Sequence, residues 1–313
     1  MFLSSFEKMR ISTLNAYAIT NLMHMENMVM GIAFGTAVTV FRNAVIYGYK
    51  GTYNHIKYEN IVDGILCEFP VKGNRFAQIS TENFSKIPGS PVAYWVSHKI
   101  VTCFSDNKCI NELSYPRQGL ATGNNDVFLR LWYEVKNIDV SRHSKNQKEF
   151  FASLKKYVPY NKGGTFRKWY ANIEWLIRFD KPHFDILKTV GNHLPSKEFY
   201  FRDSITWSKV TSGAFSRRYI PVGSVFDVAG CSIFADAKIT YILAFANSKV
   251  MQYLMDVLSQ TLNYEVGNVK NIPLIIGEQE FEVEQLSNKN IELSKCALDS
   301  FETSWDFMRH PLV

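Results

Sequence analysis

The sequence predicts a mixed fold, in which an α/β fragment is followed by an irregular α+β domain and by C-terminal helices. Three observations support this prediction. The chain opens with a helical pattern and two strand-like runs, its middle contains short aromatic runs broken by turns, and its last third returns to helical periodicity. A length of 313 residues with 46% hydrophobic and 20% charged residues provides ample material for a core in one to three domains.

The first 60 residues predict a helix over 4–18, strands over 19–25 and 36–41, and a turn-rich return from Gly48 to Tyr53. A helix, a strand and a hairpin form only a fragment of an α/β layer, too short for a complete doubly wound domain. We therefore expect that the front half of such an architecture is missing from this chain.

The rest of the chain divides at turn signals. A connector over 60–90 ends in Ile87–Pro91, where two prolines flank a Gly-Ser turn, and a helix is predicted near 99–104. Short strand-like runs follow over 127–135, 169–179 and 200–227. Helical periodicity then returns over 239–258 and 278–305.

Charge is distributed unevenly. The net charge is +6, but residues 141–218 carry 16 Lys or Arg against 6 Asp or Glu, whereas residues 277–313 carry 3 against 8. The basic block is interleaved with Trp169, Trp175 and Trp207, which favours an anionic ligand over a merely solvated face.

Five scattered cysteines form no Cys-x-x-Cys pair, which argues against a disulfide framework or a zinc site and favours reduced thiols. The chain shows no signal-peptide pattern, and no apolar run approaches the roughly 18 residues that span a bilayer. We therefore predict a cytoplasmic protein that does not bind membranes.

Two glycine-rich stretches dominate the middle of the chain, Gly119–Asp126 and Pro159–Tyr170. Glycine permits positive φ and close approach by another molecule, and successive backbone N–H groups in such turns attract anions. The second stretch adds Lys162, Arg167 and Lys168 together with Trp169. These features suit a polyanion that carries bases, which indicates nucleic acid. The alternative is two ordinary turns with solvated charges.

A third candidate loop is Ser212–Tyr219, where Arg217 and Arg218 could reach phosphates or a guanine edge. The alternative is a hairpin tip with solvated arginines.

Other catalytic patterns are weaker. Asp126 with Glu134 and Lys136 is similar to the acidic-x-Lys signature of Mg²⁺-dependent nucleases, although a Glu-x-Lys triplet is common by chance. Gly31–Gly35 lacks the strand–loop–helix context of a nucleotide site and is predicted to be a hairpin turn. His24 and His55 are predicted to be structural or surface residues.

A series of motifs follows in order along the chain: Gly119–Asp126, Pro159–Gly164, Arg167–Tyr170, Phe199–Arg202, Ile205–Trp207, Ser212–Gly213, Phe226–Phe234, Asn247–Lys249 and Asn271–Pro273. The series resembles the C-terminal portion of the large adenine-specific DNA methyltransferases of the BREX phage-defence type. These enzymes are similar to fused restriction–modification methylases with a TaqI-like specificity domain. Phe2–Lys8 and Gly48–Tyr53 resemble the end of their catalytic domain, so the resemblance covers nearly the whole chain.

The resemblance implies a reaction that this chain is not expected to perform alone. The family transfers a methyl group from S-adenosylmethionine to adenine N6, using a glycine-rich donor loop and an Asn-Pro-Pro-Tyr-type motif. Neither motif occurs in this sequence. No cofactor is therefore expected in this chain, whereas the complete family enzyme binds S-adenosylmethionine.

The resemblance implies three regions: the tail of a Rossmann-like catalytic domain over 1–65, a target-recognition domain over 75–275 and a helical segment over 276–313. The expected function is sequence-specific binding of double-stranded DNA in support of adenine methylation. The expected DNA-binding residues are Thr122, Gly123, Asn124, Asn125, Lys162, Gly163, Gly164, Arg167, Lys168, Trp169, Arg202, Trp207, Ser212, Arg217 and Arg218.

Three alternatives stay open at this point. The chain could be a separate specificity subunit that docks on a methyltransferase catalytic half or on other defence subunits. It could be a Mg²⁺-dependent nuclease, or a truncated product without activity of its own.

Overall fold

The computed structural model describes residues 6–73, 75–211, 214–259 and 263–312. The helices are α1 (Glu7–Ala16), α2 (His98–Asp106), α3 (Ile110–Leu113), α4 (Asn125–Phe128), α5 (Gln147–Ala152), α6 (Lys181–Leu187), α7 (Ile239–Ala246), α8 (Lys249–Leu258), α9 (Val266–Lys270) and α10 (Glu280–Asp299). The strands are β1 (Ala18–Met25), β2 (Thr36–Arg42), β3 (Lys50–Ile56), β4 (Ile61–Val62), β5 (Ile65–Leu66), β6 (Arg75–Ser80), β7 (Tyr115–Arg117), β8 (Leu129–Leu131), β9 (Tyr157–Asn161), β10 (Trp175–Arg178), β11 (Ser204–Trp207), β12 (Arg217–Ile220), β13 (Val225–Phe226) and β14 (Ser232–Phe234).

The chain divides into two compact units. The first comprises Met1–Asn107 with Val257–Gln260, and the second comprises Lys108–Asp256 with Thr261–Val313. The mixed α and β content predicted from the sequence is confirmed. The predicted regional boundary at 65–75 falls inside the first unit.

The first unit is built on a four-stranded sheet with the order β2-β1-β3-β6. Strands β1 and β2 form an antiparallel hairpin, and β1 and β3 run parallel. The apolar residues Ile19 and Leu22 of β1 are buried with Tyr53 of β3, where they form a small core with Phe84 and Tyr94. A parallel pair is the hallmark of a crossover connection, but one such pair does not define a doubly wound sheet. The Rossmann-like assignment therefore stays a prediction.

Helix α1 is attached to the first unit by an arginine. Arg10 is the buried residue of this helix. Its Nε donates hydrogen bonds to the carbonyl oxygens of Gly89 and Ser90, at 3.1 and 2.9 Å. The turn predicted at Ile87–Pro91 thus supplies carbonyl acceptors for the buried guanidinium group of Arg10.

A ladder of aromatic rings lies beside the parallel strands. His24 of β1 and His55 of β3 are register partners, and their rings stack with centroids 5.1 Å apart. Trp95 stacks on His24, and the Tyr94 hydroxyl lies 3.1 Å from His24 Nδ1. Burial, with a smaller contribution from His55, lowers the pKa of His24 from an ordinary 6.5 to about 4. Both histidines are therefore structural members of the ladder. This agrees with the prediction that they are structural or surface residues.

The second unit contains two four-stranded sheets, with orders β13-β9-β10-β8 and β12-β11-β14-β7. Its core is unusually aromatic and includes Phe150, Phe179, Phe201, Phe226 and Phe234. Edge-to-face and tilted contacts between such rings add stability beyond the area that they bury. Many of the aromatic side chains of the second unit are therefore used inside the protein.

The helix predicted over 239–258 is two helices, because Asn247 and Ser248 interrupt it. The Asn247 side chain accepts a hydrogen bond from the Arg217 N–H at 3.1 Å and donates one to the Arg217 carbonyl at 3.0 Å. The Ser248 hydroxyl accepts from the Met251 N–H in the first turn of α8. Both side chains bind backbone groups that a continuous helix would not present to them.

The C-terminal segment packs within the second unit. Helix α10 lies against α7, and the Arg142 guanidinium lies 4.6 Å from the Trp305 ring centroid. Arg142 also forms a 3.2 Å ion pair with Asp306. Within the described ranges, no helix combines the length and the apolar character needed to cross a bilayer.

The ladder predicts a pH dependence of stability. Since the unfolded chain binds a proton on His24 near pH 6.5 and the folded chain only near pH 4, stability should fall as the pH is lowered through this window. His24→Phe keeps a stacking ring that cannot titrate, so its urea-unfolding midpoint should vary less with pH than that of the parent chain. The matched control, His98→Phe at an exposed position, should retain the parent profile. Superimposable profiles for His24→Phe and the parent would contradict this account.

Candidate nucleic-acid interface

The two glycine-rich stretches meet on one segment of the second unit, residues 226–230. On one side, Leu120 pairs with this segment through its N–H to the Phe226 carbonyl at 3.0 Å and its carbonyl to the Val228 N–H at 2.9 Å. On the other side, the Asp227 N–H donates to the Asn161 carbonyl at 2.9 Å. The two loops that follow these residues are therefore anchored to the same segment, residues 226–230, which we call the base of the loops.

A buried carboxylate holds this base together. Asp227 is 4% exposed, and its Oδ2 accepts a 2.6 Å hydrogen bond from the Tyr160 hydroxyl while its Oδ1 accepts from the Ala229 N–H at 2.6 Å. Lys162 Nζ lies 3.8 Å from Oδ2. Burial, and next the Asp227 charge, hold the pKa of Tyr160 well above its usual range, so Tyr160 stays a donor. Lys162 thus neutralises a buried internal charge, which leaves it less available to a phosphate than the sequence implied.

The first loop has a buried half and an exposed half. The Thr122 side chain is buried, and its hydroxyl donates to Asn125 Oδ1 at 2.6 Å. Asn124 Oδ1 accepts from the N–H groups of Asp126 and Val127, so it caps α4. Gly123, Asn124 and Asn125 are exposed. Of the four residues predicted here, Thr122 is thus a support for the loop, and the other three lie on its surface.

Gly191 and Asn192, which were not predicted from the sequence, hold the first loop in place. Asn192 Oδ1 accepts from the Ala121 N–H at 2.7 Å, and its Nδ2 donates to the Gly119 carbonyl at 3.0 Å. Gly191 has φ +59°, and a Cβ built there would overlap the Ala121 carbonyl oxygen. A Gly-Asn dipeptide is a turn signal, so the sequence contained a pointer to this site.

The second loop is anchored at both ends. The Ser208 hydroxyl donates to the Gly164 carbonyl, and Asn172 Nδ2 donates to the Thr165 carbonyl, both at 2.8 Å. At the far end, Trp169 exchanges backbone hydrogen bonds with β12, to the Arg217 carbonyl at 2.9 Å and from the Tyr219 N–H at 2.7 Å. Trp169 is partly buried, with φ +71°. Fixed ends and an exposed middle make this loop a rigid projection.

The exposed middle of the second loop is Gly164–Lys168, which we call the basic loop. Phe166 is 50% exposed, and Arg167 and Lys168 are exposed as well. Lys168 Nζ donates to the Asn247 carbonyl at 3.0 Å, and burial together with the nearby Arg217 charge lowers the pKa of Lys168. In the described part of the chain, neither Arg167 nor Lys168 has a carboxylate partner. The basic loop therefore presents positive charge without a local counter-charge.

Three predicted contact residues, in addition to Thr122 and Gly163, are not on the surface, which corrects the sequence interpretation. Trp207 and Arg218 are 0% exposed and Arg217 is 1% exposed. Trp207 Nε1 donates to the Tyr264 carbonyl at 2.9 Å. Both arginines belong to β12, which pairs with β11 on one side and with Trp169 on the other. Because both side chains are buried, neither a phosphate contact nor a solvated hairpin tip fits their positions.

Arg217 and Arg218 instead support the basic loop from below. The Arg217 Cζ lies 3.3 Å from the Phe215 ring centroid, and its Nη1 donates to the Phe215 carbonyl at 2.8 Å. Burial holds the pKa of Arg217 well below its usual range and lowers that of Arg218 to about 10. The Arg217 charge acts on Lys168, although the buried Arg217 side chain cannot touch a ligand.

The remaining predicted residues lie in different settings. Gly163 is buried beneath the basic loop, and Gly164 is exposed. Arg202 is partly exposed and forms a 2.7 Å ion pair with Asp236. Ser212, with its neighbour Gly213, lies outside the described residues.

Ion pairing divides the basic block of residues 141–218 into two groups. Half of its cations form ion pairs with carboxylates, as Lys156 does with Asp139 and Lys188 does with Asp185. For the other half, the described residues supply no carboxylate within 4.0 Å. This second group consists of Lys145, Lys148, Lys155, Arg167, Lys168, Lys197, Arg217 and Arg218.

The nuclease alternative gains no support from the geometry. Glu134 Oε2 accepts a 2.7 Å hydrogen bond from the Leu131 N–H, a local cap of the turn that follows. Among the residues for which a structure is described, no three His, Cys, Asp or Glu side chains lie close enough to hold a metal ion.

Comparison with known proteins finds two adenine-specific methyltransferases that are similar to this chain. The chain is 34% identical over its whole length to "Adenine-specific methyltransferase PglX" of Lacticaseibacillus casei (strain Zhang), and it spans 27% of that protein. It is 32% identical over its whole length to "Adenine-specific methyltransferase BrxX" of Escherichia coli O9:H4 (strain HS), of which it spans 26%. No family model matches the chain.

Because Gly191 packs against the backbone of the first loop, we expect a larger residue at this position to destabilise the protein. Gly191→Ala should lower the free energy of unfolding by about 2–4 kcal/mol, because the new methyl group meets both a positive φ and the Ala121 carbonyl. The matched control is Gly48→Ala, which also has positive φ but open space around its Cβ position. The control should cost only about 1 kcal/mol. Urea denaturation measures both, and equal losses would show that the contact with Ala121 is unimportant.

Proposed function

We propose, on the premise that this chain belongs to the BREX-type adenine-specific methyltransferases and spans about 27% of their length, that it is a DNA-recognition part of such an enzyme. In this proposal, the second unit binds double-stranded DNA and reads its sequence. Methyl transfer takes place in a polypeptide that carries the donor loop and the Asn-Pro-Pro-Tyr motif, and S-adenosylmethionine binds there.

The basic loop is the observation that carries the proposal. It is exposed, it is anchored at both ends, and Arg167 and Lys168 have no carboxylate partner in the described ranges. DNA binding draws most of its affinity from contacts between such cations and phosphates. An anchored loop loses little conformational entropy on binding, so its charges are used efficiently.

The first loop supplies contacts of a different type. Asn124 and Asn125 are exposed polar side chains, and Gly123 presents backbone there. Groups of this kind bind phosphate and sugar oxygens and so fix the register of a protein on the duplex. Because both loops rise from residues 226–230, their separation is set by the fold and can match a groove.

Phe166 adds an apolar, flat side chain at the tip of the basic loop. Exposed aromatic rings beside cations stack on bases or wedge between base steps in many DNA-binding proteins. In the complete enzyme, the adenine must leave the stack at a cost of a few kcal/mol before its amino group is methylated. A clamp that holds the duplex firmly offsets that cost.

The first prediction of this proposal concerns ionic strength. If about five phosphates are neutralised, the logarithm of the binding constant should fall with the logarithm of salt concentration with a slope near −4.5. Fluorescence anisotropy with a labelled duplex, titrated at several salt concentrations, measures the slope. A flat salt response, or no complex with duplex DNA at low ionic strength, would remove the proposal.

The second prediction concerns the basic loop directly. The double variant Arg167→Ala with Lys168→Ala should weaken duplex binding by roughly tenfold or more and reduce the salt slope by about 2. The control is Lys289→Ala with Arg309→Ala, which removes the same charge from exposed positions in the acidic C-terminal segment. If both double variants weaken binding equally, net charge rather than the basic loop is responsible.

A further inference from the structure

An open cavity of about 420 Å³ lies in the second unit, lined by His143, Lys145, Phe201, Arg202, Asp203 and Val222. We propose that this cavity binds a single nucleoside monophosphate unit. The inference rests on the proposed function, because it assigns Arg202, one of the predicted DNA-contacting residues, to a defined site. The volume lies within the range of small-ligand sites, roughly 300–1,000 Å³.

The cations of the cavity are suited to a phosphate group. Lys145 is exposed and, in the described chain, makes no ion pair with a carboxylate. Arg202 is oriented by its 2.7 Å ion pair with Asp236 Oδ1, and its guanidinium lies 5.5 Å from the Phe199 ring centroid. A fixed guanidinium and a mobile ammonium are a common pair of phosphate ligands.

The cavity wall is formed by backbone in an unusual conformation. Phe201 has φ +70°, which an aromatic residue rarely adopts. Its N–H donates to the Ser224 carbonyl at 2.8 Å, and its carbonyl accepts from the Gly223 N–H at 3.0 Å. Strain that is held in place by such contacts is concentrated at ligand sites. Here it places Phe201, Arg202 and Asp203 in one short run along the cavity.

Asp203 adds a carboxylate to a cavity that is also lined by cations. The Tyr219 hydroxyl donates to Asp203 Oδ2 at 3.4 Å, a contact that holds the carboxylate in place and leaves it acceptor capacity. A carboxylate repels phosphate but accepts a hydrogen bond from an exocyclic amino group. In this proposal the phosphate binds the cations Lys145 and Arg202, and the nucleobase lies beside Asp203 and the apolar Val222. This arrangement favours adenine or cytosine over thymine.

The same chemistry could come from two sources, an extruded nucleotide of DNA or a free nucleotide. Isothermal titration of the full chain with deoxyadenosine monophosphate, thymidine monophosphate and inorganic phosphate tests the shared chemistry. Deoxyadenosine monophosphate should bind saturably and tighter than the other two. Lys145→Ala should weaken its binding about tenfold. Asp203→Ala should abolish the preference over thymidine monophosphate.

Two further variants show whether the nucleotide binds in the cavity itself. Val222→Trp, at an exposed position, should block the cavity without removing a charge. Lys148→Ala removes an exposed, unpaired lysine of the same block from outside the cavity and should leave nucleotide binding unchanged. Absence of saturable binding by deoxyadenosine monophosphate, or equal losses in Lys145→Ala and Lys148→Ala, would overturn the inference.

Binding experiments with duplex DNA distinguish an extruded nucleotide from a free nucleotide. A duplex with one mismatched adenine should bind tighter than its matched counterpart, and Val222→Trp should remove that difference if the ligand is an extruded nucleotide. If Val222→Trp blocks the free nucleotide but leaves the difference unchanged, the ligand is a free nucleotide. Failure of Arg167→Ala with Lys168→Ala to weaken duplex binding would count against the proposed function alone, since neither residue lines the cavity.

Discussion

The buried carboxylate of Asp227 is the interaction on which the arrangement of the second unit depends. It accepts hydrogen bonds from the Tyr160 hydroxyl and the Ala229 N–H, and Lys162 lies close enough to balance its charge. Removing a charge from water is costly, so a carboxylate persists in such a place only when its partners satisfy it. Tyr160 and Lys162 both come from the second glycine-rich stretch, and the Tyr160 hydroxyl also lies 3.1 Å from the Leu120 carbonyl oxygen of the first. The hydroxyl of Tyr160, held by Asp227, thus connects the two glycine-rich segments.

This constraint changes the role of glycine in the loops. Glycine could serve close approach by a ligand, but the close approach seen here is between segments of the protein itself. Positions 119 and 191 lie against the backbone of Phe226 and Ala121, where any side chain would overlap. The glycines therefore allow the segments beneath the two loops to pack closely, and the polar side chains above them stay exposed. A rigid base with a few projecting charges is the arrangement that preserves geometry at a binding site.

Electrostatics in the second unit follows from which cations find partners inside the protein. Lys162 and Arg202 lie beside carboxylates, whereas Arg167 and Lys168 have none in the part of the chain that the structure describes. Arg217 and Arg218, buried below, add positive potential at a point where solvent cannot screen it. Burial, and next the Arg217 charge, lower the pKa of Lys168. The surplus of positive charge is therefore concentrated at a few positions.

The sequence by itself determined the element types with strong periodicity and the family to which the chain is related. It predicted β1 and β2 nearly to the residue, helix α2 and the turn at Ile87–Pro91, because these depend on local patterns of apolar residues and on proline. It also identified the two glycine-rich stretches as candidate binding loops. Only the tertiary structure decided which side chains among Trp207, Arg217 and Arg218 face solvent, and it placed all three inside. The reason is physical: burial and ion pairing depend on neighbours distant in the chain, such as Tyr264 for Trp207 and Asp227 for Lys162, and local sequence carries no record of them.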